Sequence, residues 1–315
     1  MSAALKLPRD TPGAAGPFPV GAGSRIGVIA ALAAVYVIWG STYLGIRVAL
    51  EGFPPLVMGG VRFLVAGTLL YGLVRMRGGP APTGKQWRGA AVLAVLLLGM
   101  GNGGVTFAEQ WVTSSLTALA LGATPIWAAL FAGLLGRWPG RVEWLGLAIG
   151  FSGLAILNLG GGLRASPEGM IVLLLAPVGW ALGTVLGPRL ALPKGLMASA
   201  AEMLIGGALL LVLGLARGER MHAAPGPHAL LALLYLVVFG ALVGFSAYSY
   251  LLRHVRTSLA TSYAYVNPVV AVLLGVTLAG DHMAQAGLVA MPIILVGVAL
   301  VLLGRERRPR QSSGA

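Results

Sequence analysis

The chain contains no cysteine, which removes disulfides, thiolate metal sites and a cysteine nucleophile from consideration. Charge is scarce as well. Asp, Glu, Lys and Arg make up only 10% of the residues, against about 25% in a soluble domain. With so few charges the chain cannot wet its own surface, and its outer face is predicted to meet lipid. Histidine occurs at four positions, His222, His228, His254 and His282, all in predicted loops. None is placed for a Ser-His-acid triad or as one of a pair of metal ligands. The run GMGNGG at 99–104 lacks the Lys-Ser/Thr end of a phosphate-binding loop. The expectation is a protein that is not an enzyme, holds no cofactor or metal, and does not use ATP directly.

What is abundant is apolar length. Hydrophobic residues account for 57% of the chain, and a membrane crossing takes about 20 of them in succession. Ten such runs are read, near 27–47, 55–75, 88–108, 114–135, 143–160, 168–188, 195–216, 229–252, 258–279 and 285–304. The first follows a stretch rich in proline, glycine and alanine and is too long for a signal-peptide core, so it is read as a retained helix. The predicted fold class is an all-α integral membrane protein with ten transmembrane helices. Residues 1–25 are read as a disordered cytoplasmic tail and 305–315 as a basic cytoplasmic tail.

The net charge of +13 suggests nucleic acid until the charges are placed. With the N-terminus assigned to the cytoplasm and the spans alternated, seventeen cations fall on the cytoplasmic side. Four fall opposite, namely Arg47, Arg164, Arg217 and Arg220, and Arg62 lies inside a span. That asymmetry is the positive-inside pattern. It orients the chain in a cell inner membrane with both termini cytoplasmic, and it accounts for the basic excess without a nucleic-acid partner.

The sequence also repeats itself. TYLGIRVAL at 42–50 and TVLGPRLAL at 184–192 agree at six of nine positions, 142 residues apart. GLAILNLG (153–160) matches GVALVLLG (297–304), and SSLTALALGATPIW (114–127) aligns with TSLATSYAYVNPVV (257–270), which sets Pro125 opposite Pro268. GGVRFLVAG (59–67) aligns with SAAEMLIGG (199–207), which sets Arg62 opposite Glu202. The offsets stay between 140 and 144. Two five-helix units result, 26–162 and 166–304. Because five is odd, the second must enter the membrane upside down relative to the first. Inverted repeats supply two near-equivalent states around a site at mid-depth, as a carrier requires.

YVIWGSTYLGIR (36–47), GGVRFL (59–64), AEQW (108–111) and TSYAYVNPVVAVLLG (261–275) resemble the bacterial drug/metabolite transporter superfamily, within it the EamA-domain exporters, and most closely the YedA-type subgroup. The resemblance covers roughly 28–304. It implies ten helices and a central cavity lined mainly by helices one, three, four, six, eight and nine. It also implies export of amino acids or other small metabolites.

Read residue by residue, helix one carries Tyr36, Trp39, Gly40, Tyr43 and Arg47 at spacings of three and four, so they share one face. Such a stripe can line a cavity or form an interfacial belt. Helix nine carries Tyr263, Tyr265 and Asn267 before Pro268, and helix four carries Thr124 before Pro125. Each proline frees a carbonyl, of Ala264 and of Leu121, that must face protein or water. Asn102 and Thr106 in helix three, Trp180 and Thr184 in helix six, and Tyr248 in helix eight add uncharged hydrogen-bonding groups. These serve either a substrate or helix contacts. Arg62 and Glu202 are charges well inside spans, expected to be a structural ion pair, a gate latch or, through Glu202, a route for protons. Glu109, Arg47 and Arg189 sit at helix ends as gate candidates or as simple end charges.

The expected function is a secondary transporter exporting small metabolites, amino acids or related amphipathic solutes, by alternating access. The alternative is a proton-coupled multidrug exporter of hydrophobic cations, which needs an acidic group at the cavity. The expected partners are a small-molecule solute and the lipid bilayer, and the expected state is a monomer or weak homo-oligomer.

Overall fold

The computed structural model describes residues 22–108, 110–111, 117, 120–157, 167–221, 223–278 and 285–304. Regular structure among them is entirely helical. In chain order, α1 is Ala22–Leu50 and α2 is Pro55–Met76; α3 covers 84–108 in three pieces, Gly84–Leu93, Ala94–Gly103 and Gly104–Ala108. Next come α4 (Thr124–Leu134), α5 (Arg141–Leu157), α6 (Pro167–Leu186, prolonged by the tight turn Gly187–Arg189) and α7 (Leu196–Ala216). The pieces Pro227–Tyr235, Leu236–Val243 and Gly244–His254 form α8; Thr257–Thr261 and Tyr263–Leu278 form α9; Gln285–Leu303 is α10.

Seven of these helices, α1, α2, α3, α6, α7, α8 and α10, are long and apolar enough to cross a membrane. The expectation of ten is therefore met by seven on length and composition, and α4, α5 and α9 fall short. Two of the three are interrupted near a proline. The segment α4 starts at Thr124, beside Pro125, and α9 breaks at Ser262, ahead of Pro268. The helix α5 reaches the edge of the described residues at Leu157.

Local chemistry sets several helix ends. Thr83 opens α3 with a capping box: its hydroxyl accepts from the Gln86 amide at 3.4 Å, and the Gln86 side chain accepts from the Thr83 amide at 2.9 Å. The start of α2 is capped from a distance. Glu219, in the α7–α8 loop, accepts from the amides of Leu56 (3.3 Å) and Val57 (2.9 Å), placing a carboxylate on the positive end of the helix dipole. Both α2 and α7 end on Arg-Gly, at 77–78 and 217–218, and Gly78 and Gly218 take the left-handed φ (78° and 82°) that ends a helix cheaply.

Two antiparallel pairs make the most extensive contacts, α2 with α7 and α5 with α10. In the first, Gly60 lies against Leu211, Gly67 against Leu204, and Gly207 against Leu64. Rising numbers on one helix meet falling numbers on the other. In the second, Gly146 lies against Val301, Gly150 against Gly297, and Gly153 against Ile294. Glycine at these crossings lets backbones touch, which is how helices associate where lipid offers no hydrophobic drive. Around these pairs, α1 packs on α8 and α9, while α6 packs on α3 and α4.

Tyr36 meets Ser262 and Gly40 meets Val270, so α9 runs parallel to α1. Ser258, near the start of α9, bonds Glu143 near the start of α5, and Gly304, just past the end of α10, packs on Glu143. The start of α1 and the end of α10 therefore lie at one end of the bundle. Side-chain polarity is inverted relative to a soluble protein. Leu174, Leu231 and Val289 are 57%, 64% and 58% exposed, while Thr42, Arg62, Thr124, Glu202 and Asn267 are buried.

A methyl group at Gly297 would stand 2.6 Å from the Gly150 Cα, a main-chain atom that cannot step aside. Gly297→Ala is expected to destabilise the fold by about 1–3 kcal/mol, read as a lowered unfolding midpoint in detergent. Gly72→Ala, with no atom within 4 Å of the new group, is expected to leave the midpoint unchanged.

Candidate functional site

The helix α1 delivers Trp39 to the centre of the bundle and α6 delivers Trp180. The two indoles meet edge to face with centroids 5.6 Å apart. Tyr263 lies 4.9 Å and Tyr248 5.2 Å from the Trp39 ring, and Phe245 packs at 5.2 Å. Such edge-on and tilted arrangements are the favoured geometries for ring pairs. Each indole N–H is satisfied. Trp39 Nε1 donates to the Gly240 carbonyl at 3.1 Å, and Trp180 Nε1 to the Tyr248 hydroxyl at 3.0 Å, which lies 2.5 Å from Thr184 Oγ1.

Glycine makes room for both indoles. The Trp180 ring occupies the place where a Cβ on Gly101 would stand, and the Trp39 Nε1 edge does the same at Gly244. Gly101 and Gly244 are 143 residues apart, within the spread of the sequence repeat. Each sits at or beside a π-wound stretch, Ala94–Gly103 in α3 and Leu236–Val243 in α8, and these begin 142 residues apart. A π turn carries an extra residue and leaves the carbonyl ladder out of step. The Gly240 carbonyl that holds Trp39 comes from such a stretch.

Beside the rings lies a cavity of about 80 Å³, lined by Trp39, Thr42, Tyr43, Ile46, Arg62, Gly101, Asn102, Val105, Leu121, Thr124, Trp180, Tyr263, Ala264 and Asn267. This is room for a few waters, well below the roughly 300–1,000 Å³ of a small-molecule pocket. A larger solute enters only if the rings part. Leu121 and Ala264 are both on the wall. Pro268, inside α9, leaves the Ala264 carbonyl without its helical partner. Pro125 instead stands in the first turn of α4, where an amide has no intrahelical partner to lose, so the carbonyl expected at Leu121 is not freed by the proline. With its amide turned so that the nitrogen faces them, Asn267 donates to the carbonyls of Tyr36 (3.2 Å) and Tyr263 (3.1 Å). That reach depends on Gly40, where α1 comes so close to α9 that a Cβ would stand 2.7 Å from Val270 Cβ.

Of the residues singled out in the sequence, Trp39, Tyr43, Arg62, Asn102, Thr124, Trp180, Tyr263 and Asn267 line this cavity together. Five others do not. Tyr36 bonds Ser262 at 2.6 Å, Thr106 donates back to the Asn102 carbonyl, and Thr184 and Tyr248 stand behind Trp180. Tyr265 faces away, buried against α5 with its hydroxyl on the Leu147 carbonyl at 3.1 Å. Residues two apart on a helix point to opposite sides, which separates Tyr263 from Tyr265. Arg47 and Arg189 are exposed, and Arg189 donates to the carbonyls of Val185 and Leu135. Glu109 lies outside the described residues. Arg62 and Glu202 are both buried, yet they form no salt bridge with each other. Thr42 was missed although it belongs to the repeated stretch. Its hydroxyl donates to the Trp39 carbonyl at 2.7 Å.

The two ends of the cavity differ. Toward the start of α1 it is shut by the Tyr36–Ser262 bond and, further on, by a buried polar cluster. There Glu143 accepts from Ser258 and pairs with Arg256 at 3.4 Å, and Arg256 also donates to the Val301 carbonyl at 2.9 Å. Toward the end of α1, Ile46 on the cavity wall is one helical turn from Leu50. Leu50 lines a second space of about 700 Å³, bounded by the 51–55 and 218–226 loops. Among the described residues no three histidine or acidic side chains converge on a metal position.

Residues 25–159 and again 167–303 match the EamA-like transporter family. The chain is 45% identical over 280 residues to the uncharacterized inner membrane transporter YedA of Escherichia coli K12, covering 89% of this chain and 92% of that protein. It is 25% identical to the uncharacterized transporter YvbV of Bacillus subtilis, over 86% and 90% of the respective chains. A solved crystal structure shares the fold with a TM-score of 0.74 at 19% identity, covering 89% of this chain and 98% of the other.

Gly101→Ala and Gly244→Ala, which put a methyl group where Trp180 and Trp39 now stand, are each expected to lower stability by about 1–3 kcal/mol. Each should also weaken the near-ultraviolet circular dichroism of the coupled indoles while leaving far-ultraviolet helicity intact.

Proposed function

The chain belongs to the EamA-like transporter family, and on that premise we propose that it is a secondary transporter that exports small amphipathic metabolites, amino acids or their relatives, by alternating access between two inverted five-helix halves. It is a multi-pass membrane transporter, like its relative in the Escherichia coli inner membrane. The carrying observation is the cavity at the meeting of the halves, walled by Trp39 and Asn102 from the first and Trp180 and Asn267 from the second.

The inversion is supported by the packing. Each antiparallel pair, α2 with α7 and α5 with α10, joins one helix to its own repeat, as a two-fold axis in the membrane plane requires. Swapped contacts say the same: α1 of the first half lies on α8 and α9 of the second, and α6 lies on α3 and α4. Ten crossings follow from reading α4, α5 and α9 as spans, and the common end of the bundle at which α1 starts and α10 finishes supports both termini on one side. The placement of that side in the cytoplasm rests on the excess of basic residues there. On that orientation the Glu143–Arg256–Ser258 cluster closes the cytoplasmic side, and the large loop-lined space is the periplasmic vestibule. The cation-exporter alternative needs a carboxylate at the solute, and among the described residues the cavity wall has none.

Purified protein in liposomes is expected to exchange labelled solute for unlabelled solute in counterflow with no ATP present. Trp39→Ala and Asn267→Ala should each lower the rate at least about tenfold, the loss of roughly 1.4 kcal/mol or more of binding; absence of exchange for every metabolite class tested, or full rates in both variants, would overturn the reading. Glu143→Gln removes a charge-assisted contact of about 1.5–3 kcal/mol from the closed cytoplasmic side. A cysteine placed at Ser262, in a chain that has no other cysteine, is expected to react with a maleimide about tenfold faster in that variant.

A further inference from the structure

We propose that Arg62 is an anion anchor in the cavity: the solute docks a carboxylate on its guanidinium while its apolar part lies against Trp39, Trp180 and Tyr263. The inference rests on the transporter reading above and adds to it the charge of what is carried.

Arg62 is only 3% exposed, in the interior of α2, and it lines the cavity. A buried cation is costly unless it is paired. Among the described residues Arg62 has no salt bridge, and its Nε has no hydrogen-bond partner. What steadies it is weak: the Phe63 ring 4.9 Å from its Cζ. Glu143, by contrast, is met by Arg256 and Ser258. The repeat-equivalent of Arg62 is Glu202, which is not on the cavity wall. Packing symmetry therefore does not demand an arginine at this position, and the two halves part company where the cavity needs a charge.

The surroundings fix what that charge can hold. The rest of the polar wall is neutral: Thr42, Tyr43, Asn102, Thr124 and Asn267. An anion meets one cation and no rival, while a cationic solute meets repulsion with no counter-charge. A guanidinium presents a planar fork that matches a carboxylate in two parallel hydrogen bonds. Its Nη2 also rests 2.7 Å from where a Cβ on Gly240 would stand, and the carbonyl of the same Gly240 holds the Trp39 indole. A carboxylate on Arg62 thus leaves the body of the solute beside the ring cluster, separating the two ends of an amphipathic acid.

Four ligands that share one ring and differ only at the other end test this: 3-phenylpropionate, L-phenylalanine, 2-phenylethylamine and 3-phenylpropanamide. They are titrated into the purified full-length protein at neutral pH with tryptophan fluorescence as the readout, and carried in counterflow. The two carboxylates are expected to bind at least about tenfold more tightly than the amine or the amide, the range of a charge-assisted pair. Arg62→Gln should erase that preference and Arg62→Lys should keep part of it. Gly240→Ala, which retains Arg62 but crowds its fork, should weaken 3-phenylpropionate more than 2-phenylethylamine, and it carries the test if Arg62→Gln does not fold. Equal binding of acid and amine, binding of none of the four, or a carboxylate preference that survives Arg62→Gln in folded protein would overturn the anchor. A wild-type protein that exchanges the amine but not the acids leaves the transporter reading standing and removes the anchor alone.

Discussion

The structure depends on helix backbones meeting with no side chain between them. In lipid, an apolar helix face gains nothing by leaving the solvent, so association rests on close contact and on the many small dispersion terms it brings. Glycine is the residue that permits it, and the chain has 48. The α2–α7 and α5–α10 seams, with Gly60, Gly67 and Gly207 in one and Gly146, Gly150 and Gly297 in the other, form two antiparallel struts. The helices that carry aromatic and polar side chains are hung between them, which leaves their inner faces free for a cavity.

That cavity is built from groups that bind and release. Hydroxyls, amides and ring edges surround it beside the one guanidinium of Arg62, and each indole N–H is committed to a protein acceptor. The rings are therefore held in place without using up the wall. Strong interactions are kept at the margins: the Glu143–Arg256–Ser258 cluster at one end and the Glu219 cap on α2 at the other. Both tie a loop or helix start to an element far away in sequence, which suits closures that must open as units.

Much of this could be read from the sequence, for physical reasons. Composition and run length revealed the membrane, and the repeat divided the chain into two five-helix units. Of the stripe read on α1, Trp39 and Tyr43 share the cavity wall while Tyr36 and Arg47 do not, and Pro268 pointed to Ala264 on the same wall. What stayed hidden depends on distance or on winding. Nothing local indicates that Trp39 would rest on Gly244, or Trp180 on Gly101. Those contacts pair positions from different halves. Glu143 resembles an ordinary charge in the first turn of a helix until Arg256 and Ser258 are brought to it. The period of α9 already told Tyr263 from Tyr265, although both were expected at the site. An ion pair between Arg62 and Glu202, equivalent in the repeat, was one of the readings open beside a gate latch and a proton route. Equivalent positions on an antiparallel pair need not touch. With residue 60 facing 211 and 67 facing 204, positions 62 and 202 lie apart along the axis.

The matched π-wound stretches of α3 and α8 give each of these helices two independent ends. The first part of α3 is bound near the α6–α7 connection, where Gly89 touches Ala191 and Gln86 reaches the Leu192 carbonyl, whereas its last part lies along α6. A single rod could not follow both attachments if they moved differently. Passing the surplus residue of the π stretch along by one position lengthens one regular segment and shortens the other by about 1.5 Å, and re-aims the residue it passes by roughly 100°. Because the same joint occurs at the same point in both halves, the protein can shift its rings by exchanging hydrogen-bond partners one at a time, with no helix having to unfold.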